Sequence, residues 1–234
     1  MLYFDESGYT GPDLTNVSQP YFALASVKIT NDEIACLKKD IGYYEWGKEL
    51  HFKSMYTNPQ GRAILDKIFN HPLMDANHIL PSFADKRYCI YANIVNILVE
   101  TMYYNKGINL YEGAKNLILA NGLYYFAIRH PNKVLVAEFE KNFVTMVRTP
   151  SVASVADFYR TTDKLREDTG TESGFFEMLS EIPLTIQYIK EALPYMKFYI
   201  DLTIPLFSVS VQEWYKRTGE KEDVLFDSSE PFFA

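Results

Sequence analysis

Three segments of this chain share one design, an apolar run that delivers an aspartate: Leu2-Tyr3-Phe4-Asp5, Phe198-Tyr199-Ile200-Asp201 and Val224-Leu225-Phe226-Asp227. A carboxylate at the end of a buried strand is costly unless a cation or backbone N–H groups meet it. If neighbouring strands end at the same edge of one sheet, their aspartates converge and repel one another, and a divalent cation removes that repulsion. Mg²⁺ and Mn²⁺ take such oxygen ligands. Two metal ions about 4 Å apart can orient a water and stabilise both oxygens of a phosphodiester displacement. Taken singly, each aspartate has a plainer use, because aspartate starts turns. On that reading Asp5 caps a turn bounded by Gly8 and Gly11 and stays solvated.

Glu49 and His51 form a second constellation. Two positions apart in an extended segment, they point to the same side. Glu49 offers a metal oxygen, and His51 a nitrogen ligand or a proton shuttle. Asp5 and Glu6 are adjacent and face opposite ways in a regular strand, so Asp5, which shares its face with Ser7, is the expected ligand. No phosphate-binding P-loop, dinucleotide glycine fingerprint, GxSxG elbow or HExxH helix occurs. His71, His78 and His130 have no carboxylate at a recognisable spacing and read as surface or capping residues.

The elements that must position these side chains follow from periodicity. Residues 2–7 and 20–29 read as strands, expected to pair antiparallel within one sheet. Asn31 is expected to cap a helix over 32–44, residues 45–59 to form a loop, and residues 60–69 a second helix. A short strand is expected over 77–83. From 85 to 104 one helical stripe carries Tyr91, Ile94, Val95, Leu98 and Met102. Residues 112–130 are apolar nearly all round, which predicts a buried central helix, and Pro131 suits the first turn of a helix reaching Met146. Helices are expected at 151–166 and 174–193, the latter interrupted by Pro183. Lys197–Ile200 reads as a strand, Phe207, Val211, Trp214 and Tyr215 share one helical face, and 223–226 is a last strand. One sheet built from both chain ends, with helices packed on it or inserted as a cap, satisfies this order. The expectation is a single domain over residues 1–234 with a helical insertion roughly over 85–193.

Composition narrows the partners. The net charge is −7, so bulk electrostatic binding of nucleic acid is excluded and any such contact must be local or metal-mediated. Tyr (18) and Phe (16) are frequent, which serves core packing first and base stacking second. Cys36 and Cys89 lie in unrelated segments without zinc spacing and read as reduced packing thiols. The N-terminus enters a strand at once, and no apolar run approaches the roughly 18 residues of a membrane span. A cytoplasmic protein without a membrane partner is expected.

Tyr3-Phe4-Asp5-Glu6-Ser7-Gly8, followed by an apolar second strand, resembles the opening of the domain-of-unknown-function 3800 family. Glu49-Leu50-His51 is similar to that family's acidic motif after the first helix, and Val224-Leu225-Phe226-Asp227-Ser228-Ser229 to its late strand. The resemblance spans the chain but rests on these short motifs. It implies an α/β fold, an RNase H-like mixed sheet built from both chain ends with a helix-rich middle. It also implies a metal site of Asp5, Glu49 and Asp227 holding Mg²⁺ or Mn²⁺. The implied activity is metal-dependent hydrolysis of DNA or RNA, with Asp5, Glu49 and His51 as catalytic residues and His51 as proton carrier. Members of that family continue past the aspartate-serine motif into a helix with a further aspartate, whereas Pro231-Phe232-Phe233-Ala234 follow here. The expectation is therefore a nuclease that is complete, or one truncated or degenerate at its last ligand. The alternative is a non-catalytic protein-binding or assembly module using the helical middle. A small-molecule hydrolase with the same metal site is a third reading. Convergence of Asp5, Glu49 and Asp227 in one cleft separates the enzymes from the module.

Overall fold

The structure, a computed structural model, describes residues 1–8, 13–42, 50–189 and 191–226. The fold is mixed α/β. Strands β1 (Leu2–Ser7), β2 (Tyr21–Lys28), β3 (Ile79–Asp85) and β4 (Val224–Phe226) form, among the described residues, one four-stranded sheet in the order β3-β2-β1-β4. β1 and β4, from opposite ends of the chain, pair in parallel with Leu2 opposite Val224 and Phe4 opposite Phe226. The chain divides into two compact units, one of residues 1–6, 24–82 and 207–234, the other of residues 7–23 and 83–206.

The first unit holds the β1–β4 pair and helices α1 (Asn31–Ile41), α2 (Phe52–Tyr56), α3 (Pro59–Phe69) and most of α11 (Thr203–Thr218). Alternation along β1 buries Leu2 and Phe4 and exposes Asp5, as period-2 geometry requires. The Phe4 ring packs on Phe207 of α11 (5.0 Å) and stacks with Phe226 of β4 (5.7 Å). Further along α11, Ser210 meets Ser82 of β3 (2.9 Å) and the fully buried Trp214 donates through Nε1 to the Ser26 hydroxyl of β2 (2.7 Å). Ser26 in turn donates to the Leu80 carbonyl (3.1 Å), so this buried polar chain is satisfied at each step. Tyr215 does not share that face; it lies one residue, about 100° around the helix, beyond Trp214 and is 55% exposed.

Helix α1 is capped by Thr30 rather than by Asn31. Thr30 Oγ1 accepts the Glu33 N–H while Glu33 accepts the Thr30 N–H (2.8 Å). This reciprocal box needs a glutamate three residues after the cap, a spacing that Thr30 has and Asn31 lacks. The helix stops at Gly42, which takes φ 73°. Within the expected loop over 45–59, Phe52–Tyr56 forms a short helix on which the Phe52 and Tyr56 rings stack at 5.5 Å.

The second unit is helical. A continuous run joins α4 (Lys86–Asn93), a π-helical turn (Ile94–Val99) and α5 (Glu100–Asn105). The expected stripe of Tyr91, Ile94, Val95, Leu98 and Met102 is fully buried. The wider π turn also buries Ile97 and Val99, which a regular helix would turn away. Helices α6 (Lys115–Arg129), α7 (Lys133–Arg148), α8 (Val152–Thr169), α9 (Gly174–Glu181) and α10 (Ile186–Ile189) follow. α7 meets α8 through Phe139 and Phe143 against Phe158 (5.4 and 5.6 Å).

Three expectations fail in this unit. Helix α6 is not buried all round: Asn116, Ala120, Leu123 and Ala127 face inward, while Leu117, Ile118 and Tyr125 are at least half exposed. Apolar composition does not decide burial; the neighbours, here α4 and α9, cover one side only. Pro131 lies outside α7, whose cap is Asn132 and whose first residue is Lys133. The segment 197–200 is no strand, because a 3-10 helix spans Leu193–Phe198. Pro194 fixes φ in the helical range and suits the first turn of such a helix.

Candidate functional site

Asp5 sits where strand alternation sends it, on the exposed side of β1. Its carboxylate takes part in no ion pair among the described residues, so it is available to an external cation. Beyond it the chain reverses at Gly8, with φ 76°. A Cβ there would come within 2.4 Å of the Tyr21 carbonyl oxygen, so only glycine fits. Gly8 closes the end of the strand as expected, and its carbonyl accepts a bond from the Lys86 ammonium (2.6 Å).

The other members of the expected site fare differently. Glu49 and Asp227 lie outside the described residues, as does Gly11. His51 is exposed and occupies the cap position of α2, where its carbonyl, rather than its ring, accepts the Ser54 and Met55 N–H groups (3.1 and 3.0 Å). Asp201 leaves the set of strand-ending aspartates because the strand before it does not exist. It is buried, and its carboxylate accepts the Thr203 N–H (2.8 Å) at the start of α11. Among the described residues no group of three or more His, Cys, Asp and Glu is arranged to hold a metal ion. Asp40 Oδ2 meets both Cys36 Sγ (3.6 Å) and His71 Nε2 (3.3 Å). His78 is bracketed by two carboxylates, Asp75 (2.6 Å) and Glu33 (3.4 Å).

Sequence reasoning missed a polar cluster in the helical unit. Lys86, the first residue of α4, is 2% exposed, and burial pushes its ammonium pKa down. The Asp85 carboxylate caps the helix at the Tyr88 N–H (3.1 Å) and accepts the Tyr124 hydroxyl (3.2 Å). On α7, Glu140 Oε1 accepts both Arg87 Nε (2.7 Å) and the buried Tyr91 hydroxyl (2.5 Å). Burial, then the charge of Glu140, holds the Tyr91 phenol well above its ordinary value. Burial, the largest single influence on Arg87, would lower it, but the bond to Glu140 together with the charge of Glu140 and the phenols of Tyr91 and Tyr124 raises it. One signal was readable: Glu140 stands on the apolar stripe of α7 with Val136, Phe143, Val144 and Val147. A carboxylate at such a position must find a partner.

Comparison with protein families, curated proteins and solved structures finds no match for this chain. Among the described residues no helix is long and apolar enough to cross a membrane.

Proposed function

We propose that the chain is a divalent-metal-dependent nuclease. The observation that carries this reading is the parallel register of β1 and β4, with Phe4 opposite Phe226. In the sequence the next residues on the two segments are Asp5 and Asp227, and parallel neighbours in register stand about 4.8 Å apart. Asp5 and Asp227 would then serve as ligands of one cation. The resemblance of Glu49-Leu50-His51 to an acidic motif supplies a third oxygen donor and a proton carrier. Asp5 suits the purpose, being exposed, and carboxylate oxygens are the donors Mg²⁺ and Mn²⁺ prefer. A cation bound there would supply an activated water and charge stabilisation at the phosphoryl oxygens. Asp5, Glu49 and Asp227 would hold it, and His51 would carry a proton.

The test is cleavage of single- and double-stranded DNA and RNA with Mg²⁺ or Mn²⁺. Asp5→Asn should lower the rate by roughly a thousandfold, the loss of several kcal/mol of transition-state stabilisation, with the circular dichroism unchanged. Wild-type protein inert on all four substrates with Mn²⁺ would end this reading. A second reading, a protein-binding module, rests on the apolar residues Leu117, Ile118 and Tyr125 that α6 exposes. It predicts association that is weakened by Ile118→Glu and indifferent to Asp5→Asn.

A further inference from the structure

A groove of about 500 Å³ runs along the helical unit between the 14–20 loop, the start of α4 and the first turns of α7. Lys86, Arg87 and Lys133 line it together with the carboxylate of Glu140, and the Asp13 carboxylate lies close enough to act on Lys86, which leaves one positive charge in excess. That is a local cationic surface on a chain of net charge −7, so it is not a sample of the background. Its charges are held in place. Lys86 is buried with its ammonium fixed on the Gly8 carbonyl, and Lys133 Nζ is tethered to the Ile128 carbonyl (2.6 Å) with donors to spare. Arg87 spends Nε on Glu140, and its side chain is 40% exposed. The wall opposite is also built. Asp13 Oδ1 accepts the Thr15 N–H and hydroxyl, and Asn16 Oδ1 accepts the Ser18 N–H and hydroxyl, two successive side-chain turns that set the loop. Helix α7 begins at the groove with Lys133 behind the uncharged cap Asn132, adding the positive end of its dipole.

We propose that this groove is a phosphate-binding site. The outer fork of the Arg87 guanidinium and the Lys133 ammonium hold the anion, and Lys86 supplies a fixed positive charge behind them. Planar bidentate donors and a neighbouring ammonium match phosphate oxygens. The volume admits a phosphate with an attached nucleoside or one step of a nucleic-acid strand. The site involves neither Asp5 nor a metal, so it stands or falls apart from the nuclease reading.

The experiment measures binding of inorganic phosphate and AMP by calorimetry, and of fluorescein-labelled oligo-dT by anisotropy. The proteins are wild type, Arg87→Gln, Lys133→Gln and Lys141→Gln. The last makes the same charge change on the same helix outside the groove. Arg87→Gln and Lys133→Gln should each weaken binding roughly tenfold, the worth of one charge-assisted hydrogen bond, and Lys141→Gln should not. Because Arg87 also partners Glu140, the exposed Lys133 variant carries the decision if Arg87→Gln unfolds. Oligo-dT binding far more tightly than AMP, with a salt slope reduced in Lys133→Gln, assigns a nucleic-acid strand. Equal affinity for AMP and inorganic phosphate assigns a small phosphate. Absence of binding of all three probes at millimolar concentration, or equal losses in Lys133→Gln and Lys141→Gln, overturns the proposal.

Discussion

Replacing Glu140 by Gln tests whether the buried cluster of the helical unit is held by charge or by packing. Glutamine keeps the shape and one carbonyl acceptor but removes the charge that Arg87 Nε (2.7 Å) and the Tyr91 hydroxyl (2.5 Å) share. Hydrogen bonds to a charged acceptor are worth roughly 1.5–3 kcal/mol each, about twice a neutral one. Tyr91 is 0% exposed and cannot turn to water, so its share of the loss is felt in full. The Arg87 side chain is 40% exposed and rehydrates, so its share is discounted. The expected cost is about 2 kcal/mol, which for a chain of this size lowers the melting temperature by roughly 4–8 °C. Urea denaturation followed by ellipticity reads it. Tyr91→Phe alone should cost less, and the double variant should show a coupling of at least about 0.5 kcal/mol. If Glu140→Gln lies within about 0.5 kcal/mol of wild type, or the two changes are additive, the carboxylate does not organise this core.

Gly8→Ala should destabilise the protein by about 2 kcal/mol or more, because φ is 76° and the new methyl would meet the Tyr21 carbonyl; a thermal melt equal to wild type would refute the turn geometry. The cluster around His78 should make stability depend on pH. The Asp75 bond raises the imidazole pKa above its ordinary value of 6.5, so that contribution is whole below pH 6.5 and fades as pH rises through the folded value. Hydrogen bonds lower Glu33, chiefly from Thr30, and Asp75, chiefly from His78, so their contributions vanish only as pH falls through those lowered values. The urea midpoint of His78→Gln should therefore fall further below wild type at pH 5.5 than at pH 8.5, and an equal difference at both would contradict the arrangement. The two thiols should differ in reactivity at pH 8. Cys36 is exposed, whereas burial, followed by the charge of Asp85, pushes Cys89 up to about 11. A disulfide reagent should titrate one thiol at once and the second only on unfolding.

Much of the scaffold was legible because the forces that set it are local. Strand alternation placed β1, β2 and β4 within a residue or two, and with β1 it placed Asp5 on an exposed face. The stripe from Tyr91 to Met102 announced a buried helical run, since side chains three and four apart fall on one face whatever lies beyond. Where the reading slipped by one residue, at Thr30 and Asn132, the cap was decided by which side chain reaches an N–H three residues on.

The sequence by itself therefore determined the elements, the β-rich ends, the helical middle and one carboxylate on a strand's open side. Only the tertiary structure decided what each face meets. It left Leu117, Ile118 and Tyr125 of an apolar helix uncovered, and it turned Tyr215 outward while burying Trp214. It also built the groove, whose parts are remote in the chain: Lys86 meets a carbonyl 78 residues away and Arg87 a carboxylate 53 residues away. Periodicity and capping are energies of a few neighbouring residues. The burial of a lysine or a glutamate is settled by partners that folding alone brings near, and no local pattern encodes which partner that will be.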